Sequence, residues 1–511
     1  MHSILYLLLT VTSLLLCSPT YAAPDVSQFQ VHSWAGRLHL FQADDPAYDD
    51  NLIIWFNGGP GCSSLIGLTT GNGPISFDTN SSHIVANPYS WSKFGHVLYI
   101  DQPVGTGYST ASQPYPAVDN DAVTSHFYDW LQLFFAHFPH LRSKQMHLMG
   151  ESWAGIYIPY FASAIVDNQD TFPVNLRSLT IGDGSIGNGA AIASATIGRY
   201  LESQQSILQI PDDVLAVFKE ASETCSFDDV LEQAAQFPPE NKIYIPGNPE
   251  GLNSKHRRQQ RTRRDLGDIY NGICNIHPVT PEEVQSTLHV SMYDISHDCN
   301  TINTFEVVAS YFSRADAQTA LNLLASASTS PLVANAASNN VPFPVPSPFS
   351  YCNDTILDTL LDGQSPQPPA HFLLPTLVTS HNISLHVYFG EYDMLLNHYG
   401  AELTLQNMTW NGAQGFSSPI NRPFYQNNAA PRLPQPRGNS GNGSNSNEDD
   451  SSRTNSNPSE TCPISEAGKW ASERGVTYHR FRGAGHSVFL SKPREMFAYV
   501  RDVVVATGST E

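Results

Sequence analysis

The motif "GESWAG" (residues 150–155), with Ser152 at its centre, directly follows the apolar run "MHLM". A serine hydroxyl is a weak nucleophile until a base takes its proton, and the base needs an acid to hold it in the right tautomer. A tight turn between a strand and a helix exposes such a serine and crowds the positions two before and two after it. Gly150 and Ala154 are small enough for that turn. An ordinary loop with Ser152 as a helix cap reads the same locally, so partners elsewhere must decide. In "LHVYFGEYDMLLN" (385–397) Asp393 stands just past an apolar, strand-like run, and in "VTYHRFRGAGHSVF" (476–489) His486 stands past another. With 19 histidines in the chain, one stray histidine means little. Nucleophile, acid and base in that order, each at a strand end, are the set that acyl transfer requires.

The tetrahedral intermediate of acyl transfer also needs N–H donors aimed at its oxyanion, each worth ~10²–10³ in rate. "WFNGGPGCSS" (55–64) offers a glycine-rich turn straight after a strand, free of side chains that would cover its backbone.

The elements that must carry these residues are legible as short apolar runs ending in turns: "NLIIWFNGG", "HVLYIDQPVG", "MHLMGES", "SLTIGDG" and "SLHVYFGEYD". Runs this apolar suit central strands of a parallel sheet covered on both faces. Amphipathic stretches such as "DAVTSHFYDWLQLFFAHF" and "IYIPYFASAIVDNQ" lie between them, so the pattern predicts an α/β fold with a mostly parallel central sheet flanked by helices. Residues 23–186, 352–430 and 461–511 carry this pattern and form the expected core. Across 187–351 the strand signal fades into helix-like segments, which predicts a helical cap insertion. Inside it "KHRRQQRTRR" (255–264) places two Arg-Arg pairs in a stretch with nothing apolar to bury, an expected site of proteolytic nicking. Residues 431–460, rich in Asn, Ser and Gly, are expected to be a disordered loop.

Composition narrows the function classes. With 47 acidic and 26 basic side chains the formal charge is −21, which repels phosphate backbones and argues against nucleic-acid binding. Residues 1–22 read as a signal peptide, with an apolar stretch from Ile4 to Cys17 and a cut after Ala22. No later run reaches the ~20 apolar residues of a membrane anchor. Six cysteines then remain, Cys62, Cys225, Cys274, Cys299, Cys352 and Cys462, an even number that suggests three disulfides with 15 pairings open. No CxxC spacing with nearby histidines is present, so neither a structural metal nor another cofactor is expected. Sequons at Asn80, Asn353, Asn382, Asn407 and Asn442 fit a secreted glycoprotein.

Taken together, "NGGPGCSS" (57–64), "NPYSW" (87–91), "DQPVGTGYS" (101–109), "GESWAG", "GEYDMLLN" (390–397) and "GAGH" (483–486) resemble the serine carboxypeptidases, in that family's order. The resemblance implies the α/β-hydrolase fold. It implies Ser152 as nucleophile, His486 as base and then acid, Asp393 as its orienter, and the N–H groups of Gly59 and Trp153 as oxyanion hole. It further implies that Asn57, the Gly58 backbone and Glu151 grip the free carboxylate of a peptide C-terminus. Glu151 facing that carboxylate would share a proton with it best in acid. A Cys62–Cys352 disulfide is implied as well, leaving the other four cysteines three pairings. The compartment implied is extracellular or vacuolar. Three departures stand out. Gly71 occupies the place of a second glutamate, "SVF" follows His486 where Met-Val-Pro or Glu-Val-Pro is usual, and "IGDG" (181–184) replaces a usual Gly-Asn-Gly. The first keeps an acyltransferase with the same triad in view, and a non-catalytic peptide-binding relative is the remaining alternative. Oligomeric state and side-chain preference are not readable.

Overall fold

The computed structural model describes residues 32–33, 37–77, 84–109, 111, 114–246, 288–298, 304–320, 349–362, 368–425 and 466–506. The leader 1–22, the basic segment 255–264, the segment 431–460, the sequons at Asn80 and Asn442, and Cys274, Cys299 and Cys462 lie outside them.

Fourteen strands are defined among the described residues. In chain order they are β1 (His32–Ser33), β2 (Arg37–Phe41), β3 (Asn51–Phe56), β4 (Ile75–Phe77), β5 (Ile84–Ala86), β6 (His96–Asp101), β7 (Gln145–Glu151) and β8 (Leu176–Gly182). They continue as β9 (Ser384–Gly390), β10 (Thr409–Trp410), β11 (Ala413–Gln414), β12 (Arg422–Tyr425), β13 (Glu466–Glu473) and β14 (Val476–Phe481). Ten of them form one sheet in the order β1-β2-β6-β3-β7-β8-β9-β14-β13-β12, and the other four form two small hairpins. From β6 through β14 every neighbouring pair is parallel, and only the two outer pairs on each edge are antiparallel. The expected parallel centre is there. The antiparallel edges carry no comparable apolar run, which is why the sequence pattern did not announce them.

Both faces of the centre are dry. In β3, Leu52, Ile54 and Phe56 enter one apolar core and Ile53 and Trp55 the other, and all five are fully buried. Burying Leu, Ile or Phe is worth roughly 1.5–3 kcal/mol each, so the strand end that presents Asn57 is firmly placed. The first core also takes Phe127, Trp130 and Phe134 of helix α1 (Asn120–His137) and Tyr157, Ile158 and Phe161 of helix α2 (Ala154–Asp167). The second takes Val488, Phe489, Met496 and Phe497 from the helices that follow His486.

The described parts of residues 187–351 contain helices, including Asp212–Cys225 and Phe227–Ala234, and contribute no strand to the main sheet. Cys62 and Cys352 are joined by a disulfide with Cα atoms 4.0 Å apart. Cys225 is disulfide-bonded too. Asn382 is exposed at a left-handed helix end, whereas the Asn407 amide pairs with both backbone groups of Ile243 at 2.8 and 2.9 Å. Asn353 caps a helix, its Oδ1 accepting the N–H groups of Thr355 and Ile356 at 3.1 and 3.3 Å.

Because the 62–352 bridge spans residues 255–264 in sequence, a cut there would leave two chains that remain linked. Denaturing electrophoresis of the deglycosylated protein is expected to show two bands only after reduction. A single full-length band in both lanes would rule the nicking out.

Candidate active site

The elbow at Ser152 is built by crowding. A Cβ on Gly150 would lie 2.6 Å from the Ala154 Cβ and 2.4 Å from the Phe56 carbonyl oxygen. Ser152 itself has φ +62°, a left-handed conformation that costs a non-glycine residue about 1–3 kcal/mol and is concentrated at functional sites. Three backbone bonds hold it there: Ser152 N–H donates to the Gly182 carbonyl at 2.9 Å, and its own carbonyl accepts from Gly155 at 2.9 Å and Ser185 at 3.1 Å. Ser152 is partly exposed, while Glu151 and Trp153 on either side are buried.

The glycine-rich turn lies directly over that elbow. A Cβ on Gly58 would come within 2.4 Å of the Trp153 nitrogen and 2.7 Å of the Ser152 Cβ, so only glycine permits the approach. Among the described residues neither the Gly59 nor the Trp153 N–H has an acceptor. The turn is braced from "DQPVGTGYS". Asp101 accepts from Ser63 Oγ at 2.5 Å and from the N–H groups of Ser64 and Tyr108 at 3.0 Å, and Ser64 Oγ donates to the Ile100 carbonyl at 2.6 Å. Those serines and that aspartate are the reason two motifs far apart in sequence behave as one.

His486 and Asp393 meet in the loops after β14 and β9, which are neighbours in the sheet. The His486 Nδ1–H donates to Asp393 Oδ2 at 2.7 Å, and Asp393 Oδ1 accepts from the Leu396 N–H at 3.1 Å. Burial pulls the imidazole down, but the charge and hydrogen bond of Asp393, with Glu151, carry His486 above the ordinary histidine value. An imidazole so held is oriented and ready to stabilise an added proton.

Glu151 is buried beside Ser152. Its Oε1 accepts from Asn57 Nδ2 at 2.8 Å and its Oε2 from Ser487 Oγ at 3.0 Å. The Asn57 amide is oriented by two donors onto Oδ1, Trp55 Nε1 at 2.7 Å and Gly67 N–H at 3.1 Å. Burial pushes the Glu151 carboxyl up to about 7, with the Asp393 charge adding to the rise while His486, Ser487 and Asn57 oppose it. A carboxylic acid neutral into the mildly acidic range, next to an amide donor, is suited to receive another carboxylate.

Ser487, Asp183 and Tyr293 were not among the residues singled out from the sequence. Ser487 lies in the departure "SVF" and supplies Glu151 with a hydrogen bond that the missing glutamate cannot. Gly71 fits the same rearrangement, because a Cβ there would sit 2.6 Å from the Phe489 carbonyl oxygen and 2.9 Å from its ring. Asp183 lies in "IGDG", the other departure. Tyr293 had no sequence signal: its ring packs edge-on to the His486 ring at 5.4 Å, and its carbonyl accepts the His486 N–H at 2.7 Å. The neighbouring Met292 carbonyl accepts the N–H groups of Met394 and Leu395, both at 3.1 Å. The segment carrying Met292 and Tyr293 thus grips the loops of both His486 and Asp393.

The parallel sheet, the elbow after β7 and the acid and base after β9 and β14 define an α/β-hydrolase fold. Over residues 38–506 the sequence matches the serine carboxypeptidase family. It is 39% identical to the carboxypeptidase Y homolog of Arthroderma benhamiae across 95% of this chain and 93% of that protein. Identity to the pheromone-processing carboxypeptidase kex1 of Talaromyces stipitatus is 28%, across 74% of this chain and 54% of that protein. The crystal structure of the prohormone-processing carboxypeptidase Kex1(delta)p of Saccharomyces cerevisiae superposes with a TM-score of 0.60 at 20% identity, covering 96% of this chain and 89% of that one, a likeness of fold. The chain belongs to the serine carboxypeptidase family, and its activity is that of a serine-type carboxypeptidase.

Proposed function

We propose that this carboxypeptidase works through an acyl-enzyme on Ser152, prefers mildly acidic pH, and is delivered to the extracellular space or a vacuole-like compartment. Ser152 Oγ attacks the carbonyl of the last peptide bond while its proton passes to His486, whose imidazolium Asp393 stabilises. The oxyanion is received by the N–H groups of Gly59 and Trp153. His486 then gives the proton to the leaving amine, the C–N bond breaks, and the terminal amino acid departs. Water, activated by the same imidazole, hydrolyses the ester and restores the serine. The leader at 1–22 supports the route out of the cell, and among the described residues no helix is long and apolar enough to cross a membrane.

The observation that carries the substrate assignment is Glu151, a buried acid held between Asn57 and Ser487 at the nucleophile's shoulder. While protonated it donates to the substrate carboxylate, alongside the second Asn57 N–H and the Gly58 N–H. Once ionised it repels that carboxylate. Rising pH therefore removes binding as Glu151 titrates near 7, whereas falling pH removes the base as His486 takes a proton above the usual histidine value. The two groups are in contact, so the apparent limits belong to the pair.

The test compares blocked dipeptides with free and amidated C-termini. For the free acid, kcat/KM is expected to decline above about pH 7, mainly through KM, and the amide is expected to be a poor substrate throughout. Glu151→Gln, neutral at every pH, should flatten that alkaline decline. Equal rates on amidated and free peptides would remove Glu151 and Asn57 from recognition.

A further inference from the structure

Asp183 is a fully buried carboxyl that the mechanism above leaves unused. It follows β8 with φ +42°, held by its N–H donating to the Tyr388 carbonyl at 2.8 Å and by the Gly390 N–H donating to its Oδ1 at 2.7 Å. Among the described residues no donor faces its Oδ2. Leaving a buried acceptor unsatisfied is costly, and more so if it is charged. A proton on Asp183 removes that cost, and a partner for the proton is present. One oxygen of Asp183, one of Asp393 and a ring nitrogen of His486 all lie within 4.8 Å of one another. The titratable groups facing Asp183 are Asp393, Glu151, Tyr388 and Tyr478, with His486 in the same cluster. Of these only His486 can be positive. Burial first, then the charge of Asp393, drives Asp183 well above the usual carboxylate range.

The geometry points to Asp183 as a positioning residue of the triad: as a carboxylic acid it donates its O–H to Asp393 and locks the carboxylate that orients His486. The inference rests on Ser152, His486 and Asp393 acting as a triad. Asp393 then receives three donors, from His486, Leu396 and Asp183, and has no freedom to turn its Oδ2 away from the imidazole. Asp183 stands where the resemblance places an asparagine, and the protonated acid does what an amide N–H would do there. An ionised Asp183 would instead set two carboxylates against each other and cancel the effect.

The conservative variant and the truncated one separate this role from mere packing. Asp183→Asn keeps a donor for Asp393 and an acceptor for Gly390, and should hold kcat within about threefold of wild type. Asp183→Ala should lower kcat by about 10²-fold, the scale of misplacing a reacting group by an ångström, with KM unchanged. Should Ala fail to fold, infrared difference spectra of wild type against Asp183→Asn decide. Wild type should show a protonated-carboxyl C=O band, unchanged between about pH 5 and pH 8, that the Asn variant lacks. Full kcat in Asp183→Ala, an Asn variant as impaired as Ala, or no such band would overturn the proposal. A parallel organophosphate reaction with wild type tells which reading has failed. Labelling of Ser152 with any of those results sinks Asp183 alone, and absence of that label sinks the triad beneath it.

Discussion

Ser152→Ala is expected to lower turnover by about 10⁶-fold while the variant folds and binds peptides normally, because the substitution deletes only the attacking oxygen. Among the described residues no hydrogen bond from Ser152 Oγ supports the elbow; its own N–H and carbonyl do, through Gly182, Gly155 and Ser185, and these survive the change. Alanine still adopts the left-handed φ at a cost no different in kind from serine's. The residual rate would come from the Gly59 and Trp153 donors and from binding. A serine-reactive organophosphate should label wild type once, on the peptide containing Ser152, and leave the Ala variant unlabelled. Stoichiometric labelling elsewhere, or an Ala variant with near-normal turnover, would end the assignment.

Asp393→Asn is expected to cost about 10⁴-fold in kcat with little effect on KM. The Asp393 Oδ2 accepts the His486 Nδ1–H, which puts the lone pair of the neutral ring on Nε2. An asparagine can turn its NH₂ toward Nδ1, which moves the imidazole proton to Nε2 and blocks proton acceptance. Asp183 makes that flip easier to envisage, since the asparagine carbonyl would then accept the Asp183 O–H. Removing the carboxylate also takes away the charge that raises His486 against its burial, so the imidazole should titrate lower in the variant. Proton NMR of His486 with and without the substitution checks the second effect, and steady-state kinetics the first. A His486 titration unchanged by Asp393→Asn would show that the two are not coupled as drawn.

The coupled departures at Gly71, Ser487 and Phe489 bear on how such a site tolerates change. Seen one at a time, Gly71 looks like the loss of a proton-sharing partner. In the structure the Phe489 backbone fills the room a side chain at 71 would need, and Ser487, two residues before Phe489, bonds Glu151 from another side. The Ser487–Glu151 bond thereby ties the residue before Ser152 to the residue after His486.

Much of this could be read along the chain because the information is local. Strands β3, β6, β7, β8 and β9 are built on short, mostly apolar runs, as burial on both faces demands, and the small residues around Ser152 follow from the tightness of one turn. The chain order of Ser152, Asp393 and His486 likewise needs no contact to be seen. What the sequence could not decide are distances between segments remote in the chain. That Gly58 lies against Trp153, that Ser487 reaches Glu151, that Tyr293 of the insertion walls His486 and that Asp183 abuts Asp393 all depend on the parallel order of strands, which brings the ends of β3, β7, β8, β9 and β14 to one edge. The protonation of Glu151 and Asp183 belongs with those distances. An isolated carboxyl ionises near pH 4, and only burial among other carboxyls, a property of the packed interior, keeps the proton on.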